Sequence, residues 1–596
     1  MRIALLTEGG YPYATGESHA WCDRLVRGLT GHEFDVYALT ARPRQDAGEP
    51  PSLPPHVRPA GSAPLWGAAP DEHRRPAEER RGRAVGRRER RRFAEHFADL
   101  AAAFVTTPPG EGRTGPDRPM IDKADRFAAG LYGLADLARA HGGLPALLRS
   151  EIAVRILEAA CRDPRALPAA HGARVRDLLT VTEQLERALR PLSLDWYGET
   201  HGLGRADLCH ATSGGAAALP GLLAKRFFGT PLLVTEYGVR LREHYLARAA
   251  AHLTAPVRAL LAAFQLALAA ETYAQAALIT PGNTHARRWQ RRCGADPARL
   301  RTVYEGMDAG RFAAVADAEA DGSKTLAWVG AIEPAKDIIG LLHAFAEIRR
   351  TEPEATLRII GGVGRDPQAP AYRAHCRALA AQLFPDEAAD DRTAGENPVS
   401  FEEIGSPEVP TLEDAYACGA VLVLSSVVEG FPRSLVEAMF CGRATVSTDA
   451  GAVPEVIGGT GLVVPPRNPH ALAEACRALL GDPDRRARLG AAARARALEL
   501  FTVEQNIAAF RGIYLELIAH APGRPAASGA ASAVGVPRPF DSPAESHVPG
   551  HWAMPGQWAA VPTGRTPSWA AEEGRDGAGV PACAAPVPSA GRGEGS

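Results

Sequence analysis

The sequence predicts an α/β protein built from two parallel-sheet domains in tandem. Three observations carry this expectation. Short apolar strands alternate with helical segments in two separate series, the first opening at residue 2 and the second at 325. A polar stretch, ADAEADGSK at 316–324, lies between them and reads as a hinge. From 521 onward the chain is Pro, Ala, Gly and Ser with isolated tryptophans, and its apolar residues have no period.

Composition sets the outer limits. At 596 residues the chain is too long for one domain. A hydrophobic content of 45% and a charged content of 23% are ordinary for a soluble globular protein. The net charge of −2 gives no global electrostatic case for a nucleic-acid or membrane partner. Nine scattered cysteines without a Cys-x-x-Cys pair argue against a disulfide framework or structural zinc and fit a reducing cytosol. The apolar run in MRIALLTEGG is too short for a signal peptide. The most apolar long window, 260–280, is broken by Gln265, Glu271 and Gln275 and reads as a buried helix, not a membrane span. The expected location is cytoplasmic.

RIALLT (2–7) opens as a strand, followed by a Gly/Pro/Tyr loop, a helical pattern over 18–29 and a second strand, EFDVYALTA (33–41). Residues 42–75 read as a loop. The arginine-dense segment 74–104 mixes glutamates into a helical pattern and reads as a solvated helix face, without nucleic acid as a partner. Helical patterns continue to about 190, so 42–195 is taken as a mostly helical insertion. ADLCHAT (206–212), TPLLVTEYGV (230–239), AALITPGN (276–283) and RLRTVYEGMD (299–308) read as the remaining strands of the first domain. The second series is TLAWVGAI (325–332), TLRIIGGVG (356–364), VSFEEIG (399–405), AVLVLSS (420–426), RATVSTDAG (443–451) and GLVVPP (461–466). The expected domains are therefore 1–315, 316–500, a terminal helix at 501–520 that packs back on the first domain, and a disordered tail at 521–596. Ligands of such sheets bind at the carboxyl ends of the strands, so two facing domains imply a cleft between them.

One corner carries chemistry. SSVVEGFPRSLVEAMFCG, from Ser425, sets Glu429 and Glu437 either side of a Gly-Phe-Pro turn that starts a helix. Pro432 suits the first helical position, and Gly442 stops the helix. A helix N-terminus is an anion site, and flanking carboxylates accept from hydroxyls, a combination that suits a nucleotide-sugar. Taken alone, the same residues also read as a helix-terminus acid and a surface charge. GGVG (361–364) does not complete a dinucleotide fingerprint, because Pro367 occupies the last position, and the Asp482-Pro-Asp484 spacing sits in an inter-helix turn, so no metal is expected.

Glu429-Gly-Phe-Pro through Glu437-Ala-Met, followed by Cys-Gly, Asp449-Ala-Gly and Pro454-Glu455, resembles the signature of family-four retaining glycosyltransferases, which have the GT-B fold of two Rossmann-like domains facing a cleft. EGGYPYATGESHAW (8–21), CHATSGGAAALPGLLAK (209–225) and TEYGVRLREHY (235–245) resemble its PelF-like branch, associated with exopolysaccharide synthesis and carrying a helical insertion after the second strand. The resemblance implies a metal-independent transfer of a hexose from a nucleoside diphosphate sugar, UDP-glucose first, to a carbohydrate or glycolipid acceptor. It implies Glu429 for the donor sugar's hydroxyls, with Gly430 and Phe431 helping through their backbone and Pro432 and Arg433 in the same donor loop. It implies Glu437 for the ribose, Lys336 for the diphosphate with Gly330 beside it, Gly16 in the glycine loop, and His210 near the transferring sugar. A membrane-bound polysaccharide synthase is a further implied partner, with peripheral association at the inner face of the membrane. Three positions depart from the pattern. Ala331 stands where an arginine usually precedes the lysine, with Arg433 or Arg365 as candidate replacements; Glu17 follows Gly16 where a second glycine is usual; Tyr237 replaces a histidine. These departures also allow a catalytically weakened nucleotide-sugar-binding scaffold.

Overall fold

A computed structural model describes residues 1–9, 11–13, 16–40, 53–65, 86–106, 118–199, 201–246, 252–317, 323–364, 366–384 and 397–520. The expected tail and Arg365 lie outside these residues. Met1–Ala521 forms one unit.

The first sheet contains β1 (Arg2–Glu8), β2 (Glu33–Thr40), β3 (Val57–Pro64), β4 (Leu208–Ala211), β5 (Leu232–Glu236) and β6 (Leu278–Pro281), in the order β3-β2-β1-β4-β5-β6. The second contains β7 (Thr325–Val329), β8 (Thr356–Ile360), β9 (Val399–Glu402), β10 (Val421–Leu424), β11 (Ala444–Thr448) and β12 (Leu462–Val464), in the order β12-β11-β10-β7-β8-β9. Every pairing is parallel. Counted within each domain, both sheets read 3-2-1-4-5-6, so the strand order reverses between β1 and β4 and between β7 and β10. Crevices at the carboxyl end of such a reversal are where doubly wound sheets take ligands. This is the tandem Rossmann-like arrangement of the GT-B fold.

Both faces of each sheet are covered, which is why the strands read as continuous apolar runs. Along β1, Ile3 and Leu5 point into one core while Ala4 and Leu6 point into the other. Along β7, Leu326 and Trp328 alternate in the same way with Ala327 and Val329. The helix Arg87–Val105 buries Phe93, Phe97, Leu100 and Phe104 on one side and leaves its leading arginines exposed. Among the described residues no helix is long and apolar enough to cross a membrane.

Several expectations need correction. Residues 42–75 are not all loop, because β3 pairs with β2 across a register shift at Val36/Tyr37. Pro59, Gly61 and Pro64 hide that strand from propensity, yet an edge strand tolerates them, and Gly61 leaves room for the Trp196 indole, whose Nε1 would sit 2.6 Å from a Cβ there. The helical insertion therefore follows β3. RLRTVYEGMD forms no ladder strand; Arg301 N and Val303 N donate to Ile279 O (3.0 Å) and Pro281 O (2.9 Å) of β6, and the chain then crosses to the second domain. That crossing precedes the proposed hinge: Phe312 already packs on Tyr416 and Phe440 of the second core. Residues 318–322 of the hinge stretch lie outside the described residues.

The helix Val503–Ala519 lies on the first domain. Phe510, Ile513, Tyr514 and Ile518 join the core under β1 and β2, and Arg301 holds Glu516 at 2.7 Å.

Candidate active site between the domains

The reversal point of the second sheet brings two loops together. After β7 the chain makes a one-turn helix, Pro334–Lys336; after β10 it makes the Ser425–Pro432 corner. Three bonds staple them: Ser425 Oγ donates to Lys336 O (2.7 Å), and Val427 N and Val428 N donate to Ala335 O (2.9 and 3.3 Å). Asp337, in the left-handed region at φ 49°, then caps the helix Ile338–Arg349 by accepting from Gly340 N at 3.2 Å. Lys336 is thereby fixed against the Ser425–Pro432 corner.

Its Nζ donates to Glu429 Oε2 at 2.6 Å. The same oxygen accepts from Ser426 Oγ (3.1 Å), and Oε1 accepts from Gly430 N (3.1 Å). The Glu429 carbonyl accepts from Arg242 Nη2 of the first domain at 2.7 Å. Gly451 at φ 60° permits this packing, since a Cβ there would stand 2.3 Å from the Glu429 carbonyl oxygen. Near Gly430 a Cβ would meet nothing within 4 Å, so the loop borders open space. Gly330 is held against the next strand, its N–H donating to Ile360 O at 3.1 Å, and Gly361 has no room for a Cβ against the Gly330 carbonyl.

The helix after the corner spans Arg433–Phe440, so Pro432 is its cap and not its first residue. Of the first four N–H groups, those of Arg433, Leu435 and Val436 are spent locally, on Phe431 O (3.0 Å) and Pro432 O (3.1 and 3.2 Å). The turn therefore offers a phosphate fewer donors than an open N-terminus would. Glu437 accepts from the buried Tyr416 hydroxyl at 2.6 Å. Burial, with Glu437 alongside, holds the Tyr416 hydroxyl far above its usual pKa, so this bond keeps its proton.

The cleft is a cavity of about 530 Å³ lined by Glu8, Gly9, Trp21, Ser213, Tyr237, Arg240, Glu243 and Glu305, with Phe431 and Arg433 from the second domain. Glu8 ends β1 and pairs with Arg240, while Ser213 Oγ donates to Glu8 Oε2 at 3.1 Å. Arg240 also meets Glu243 at 3.2 Å. Tyr237 stands edge-on to Trp21 and accepts from Asn506 Nδ2 at 3.3 Å. Gly16, at φ 141°, precedes the helix Glu17–Gly28 and borders open space; the side chain of Glu17 lies outside the described residues. Ala331 is exposed in the turn after β7.

His210 is not on this surface. It is fully buried, with Nδ1 on Tyr514 Oη (2.7 Å) and Nε2 on Thr235 Oγ1 (2.6 Å), against Trp21 and Phe510. Burial pushes its pKa down to about 3, so the ring is neutral. The sequence correctly puts it near the end of a strand, yet its face of the sheet is sealed by the helix Val503–Ala519.

Two contacts across the cleft have no counterpart in the sequence reading. One is Arg242 on Glu429. The other is Glu455: its Oε2 accepts from Thr284 N (2.7 Å) and Oγ1 (2.6 Å), and its Oε1 accepts from Tyr304 Oη (2.9 Å). Glu455 thus sits at the N-terminus of the first-domain helix Thr284–Arg292. Among the described residues no group of three or more His, Cys, Asp or Glu side chains could hold a metal ion.

Residues 1–298, half of the chain, match the family model described as a domain of unknown function, DUF3492. The chain belongs to the DUF3492 family. In this DUF3492 protein, residues 323–482 also match the model described as glycosyl transferases group 1, which covers the whole second sheet and both loops that meet at Lys336 and Glu429. A D-inositol 3-phosphate glycosyltransferase of Streptomyces bingchenggensis is 30% identical over 241 residues, 38% of this chain and 50% of that protein. A glycogen synthase of Mycobacterium tuberculosis is 28% identical over 225 residues, 37% of this chain and 50% of that protein. The DUF3492 chain thus spans about half the length of the curated relatives it matches. Among solved structures, a sucrose-phosphate synthase from Thermosynechococcus elongatus superposes with a TM-score of 0.49 at 18% identity, over 87% of this chain and 99% of that one.

Proposed function

We propose that this chain is a glycosyltransferase that moves a hexosyl group from a nucleoside diphosphate sugar to a carbohydrate or glycolipid hydroxyl with retention. The observation that carries the reading is the Lys336–Glu429 pair at the reversal point of the second sheet, in the loop that also gives Phe431 to the wall of the cleft. Glu429 offers a carboxylate to sugar hydroxyls, with Gly430 and Phe431 beside it; Lys336 offers a compact cation to the diphosphate. Glu437, half-buried on the helix behind, is the acceptor for the ribose. Arg433 lines the cavity beside them, and Gly16, Gly330 and Pro432 complete the donor-binding set of this reading. His210 acts on the site by packing, through Thr235 and Tyr514, and not by touching the sugar.

In the transfer, the bond between the sugar's C1 and the diphosphate oxygen breaks, and its electron pair leaves with the diphosphate. An acceptor hydroxyl oxygen bonds to C1 on the same face, and its proton goes to the departing phosphate. Charge thus grows on the diphosphate, where fixed cations lower the barrier. The acid-lined wall of Glu8, Glu243 and Glu305 suits the hydroxyls of a carbohydrate acceptor. Family-four membership, the PelF-like branch, UDP-glucose as donor and a role in exopolysaccharide synthesis beside a membrane-bound synthase rest on the resemblance of the quoted motifs. No metal ion takes part in this reading.

Incubation with a panel of nucleoside diphosphate sugars and a pool of cell-extract acceptors tests it. Donor turnover that disappears in Glu429→Ala is expected; absence of turnover in the wild type overturns it. A second reading is favoured by exposed Ala331 and by the sealed His210: a nucleotide-sugar-binding scaffold without transfer. Tight UDP binding by calorimetry with no turnover selects that reading instead.

A further inference from the structure

The departing diphosphate carries more negative charge than one lysine balances, and Lys336 already faces the Glu429 carboxylate at 2.6 Å. The turn after β7 adds no second cation, because its exposed residue is Ala331. The opposite wall does. Arg242, on the short helix Arg240–Leu246 after β5, reaches over the cleft and spends one N–H on the carbonyl of Glu429. A guanidinium has five donors, and a neutral carbonyl supplies no counter-charge. Among the described residues this is the hydrogen bond that Arg242 makes, and no carboxylate pairs with it within ion-pair distance. It is also half-buried. Burial draws its pKa below the usual arginine value, with the Glu429 and Glu243 carboxylates pulling the other way at longer range. A partly desolvated cation without a paired anion, beside the loop that would hold a donor, is arranged for an anion that arrives. Arg433, by contrast, lies beside Arg24 and Tyr416.

We propose that Arg242 is a catalytic residue: its guanidinium contacts the departing diphosphate next to Lys336, so that the leaving group is held from both domains at once. The inference rests on the donor reading of Lys336 and Glu429 and goes beyond it by placing the second cation on the first domain. Transfer then requires the two domains to be together, because the fork reaches the diphosphate from the far wall. A nucleoside diphosphate alone should also draw the domains together through the same contact.

The test uses the full chain with UDP-glucose, or with whichever nucleoside diphosphate sugar the wild type turns over, and the free diphosphate as binding probe. Arg242→Gln should lower kcat by about 100-fold, the usual effect of removing one preorganised donor from a developing anion. It should weaken binding of the free diphosphate by about tenfold and leave binding of the uncharged nucleoside unchanged, whereas displacement of the Glu429 loop alone would not single out the diphosphate. Arg242→Lys should recover part of both, since it keeps the charge and loses the fork. Turnover by Arg242→Gln within about threefold of wild type overturns the inference while leaving the donor reading intact. So does a loss in Arg242→Gln that leaves affinity for the diphosphate unchanged. If Arg242→Gln does not fold, Arg242→Lys carries the test, with lowered kcat and diphosphate affinity expected and wild-type values overturning it. A wild type that neither binds nor turns over any donor removes the donor reading, and this inference with it.

Discussion

Lys336 and Glu429 neutralise each other across 2.6 Å, with 19% and 11% of their side chains exposed. In the proposed reaction both must serve a ligand, so donor binding exchanges one ion pair for two new contacts, lysine to phosphate and carboxylate to hydroxyl. The pair holds both side chains in position until then.

Removing one partner leaves the other charge poorly solvated. Glu429→Gln should cost stability by about 1–3 kcal/mol, and Lys336→Met by a similar amount. The double variant should cost less than the sum of the two, because neither charge is then stranded. Urea unfolding of the four proteins measures the coupling; additive losses would mean that the pair does not contribute.

Acid stability should report His210. Its folded pKa, about 3, lies below the unfolded value near 6.5, so the unfolded chain binds a proton that the native state refuses. The group therefore costs nothing above pH 6.5, and stability falls as pH drops from 6.5 toward 3. The slope is about 1.4 kcal/mol per pH unit for this one residue. A His210→Gln variant should be less stable at neutral pH but lose this part of the acid slope, read from denaturant midpoints between pH 7 and 5.

Glu455→Ala should loosen the contact between domains. It removes acceptors from Thr284 N, Thr284 Oγ1 and Tyr304 Oη together, and takes a negative charge from a helix N-terminus. A loss of about 1–2 kcal/mol is expected, in the range of a lost cap. Small-angle scattering should show a larger radius of gyration, whereas Glu455→Gln, which keeps an acceptor, should show less of both effects.

Gly451→Ala should act on the donor loop from behind. At φ 60° a side chain is strained by about 1–2 kcal/mol, and the added Cβ meets the Glu429 carbonyl at 2.3 Å. The carbonyl must shift, taking with it the Arg242 bond and the Glu429 carboxylate. Donor affinity should fall by more than the loss of global stability explains, measured by calorimetry below the unfolding temperature.

The parts of the fold that the sequence made legible were those with a period. Strands buried on both faces give unbroken apolar runs, so β1, β2, β7 and β10 stood out, while β3 did not, because Pro59 and Gly61 are tolerated only by an edge. The corner at Glu429 was legible because its turn and helix start are local. The burial of His210 was not legible, for the opposite reason. Period-2 alternation puts it on one face of β4, but which face is open depends on a helix almost 300 residues further along the chain. Arg242 lay inside the quoted TEYGVRLREHY stretch, but nothing local gave it a role, since an arginine on a short helix is ordinary until another domain is placed opposite.

Met307 and Thr502 form an isolated parallel bridge, with Met307 N donating to Phe501 O (2.9 Å) and Val503 N donating to Met307 O (3.2 Å). The second domain thus begins and ends at one point, like a leaf hung on a pair of adjacent threads. It is a cassette in topological terms: a foreign domain whose ends lie equally close could be grafted there without lengthening either thread. Such a chimera would keep the wall that carries Arg242 while changing the loops that it meets.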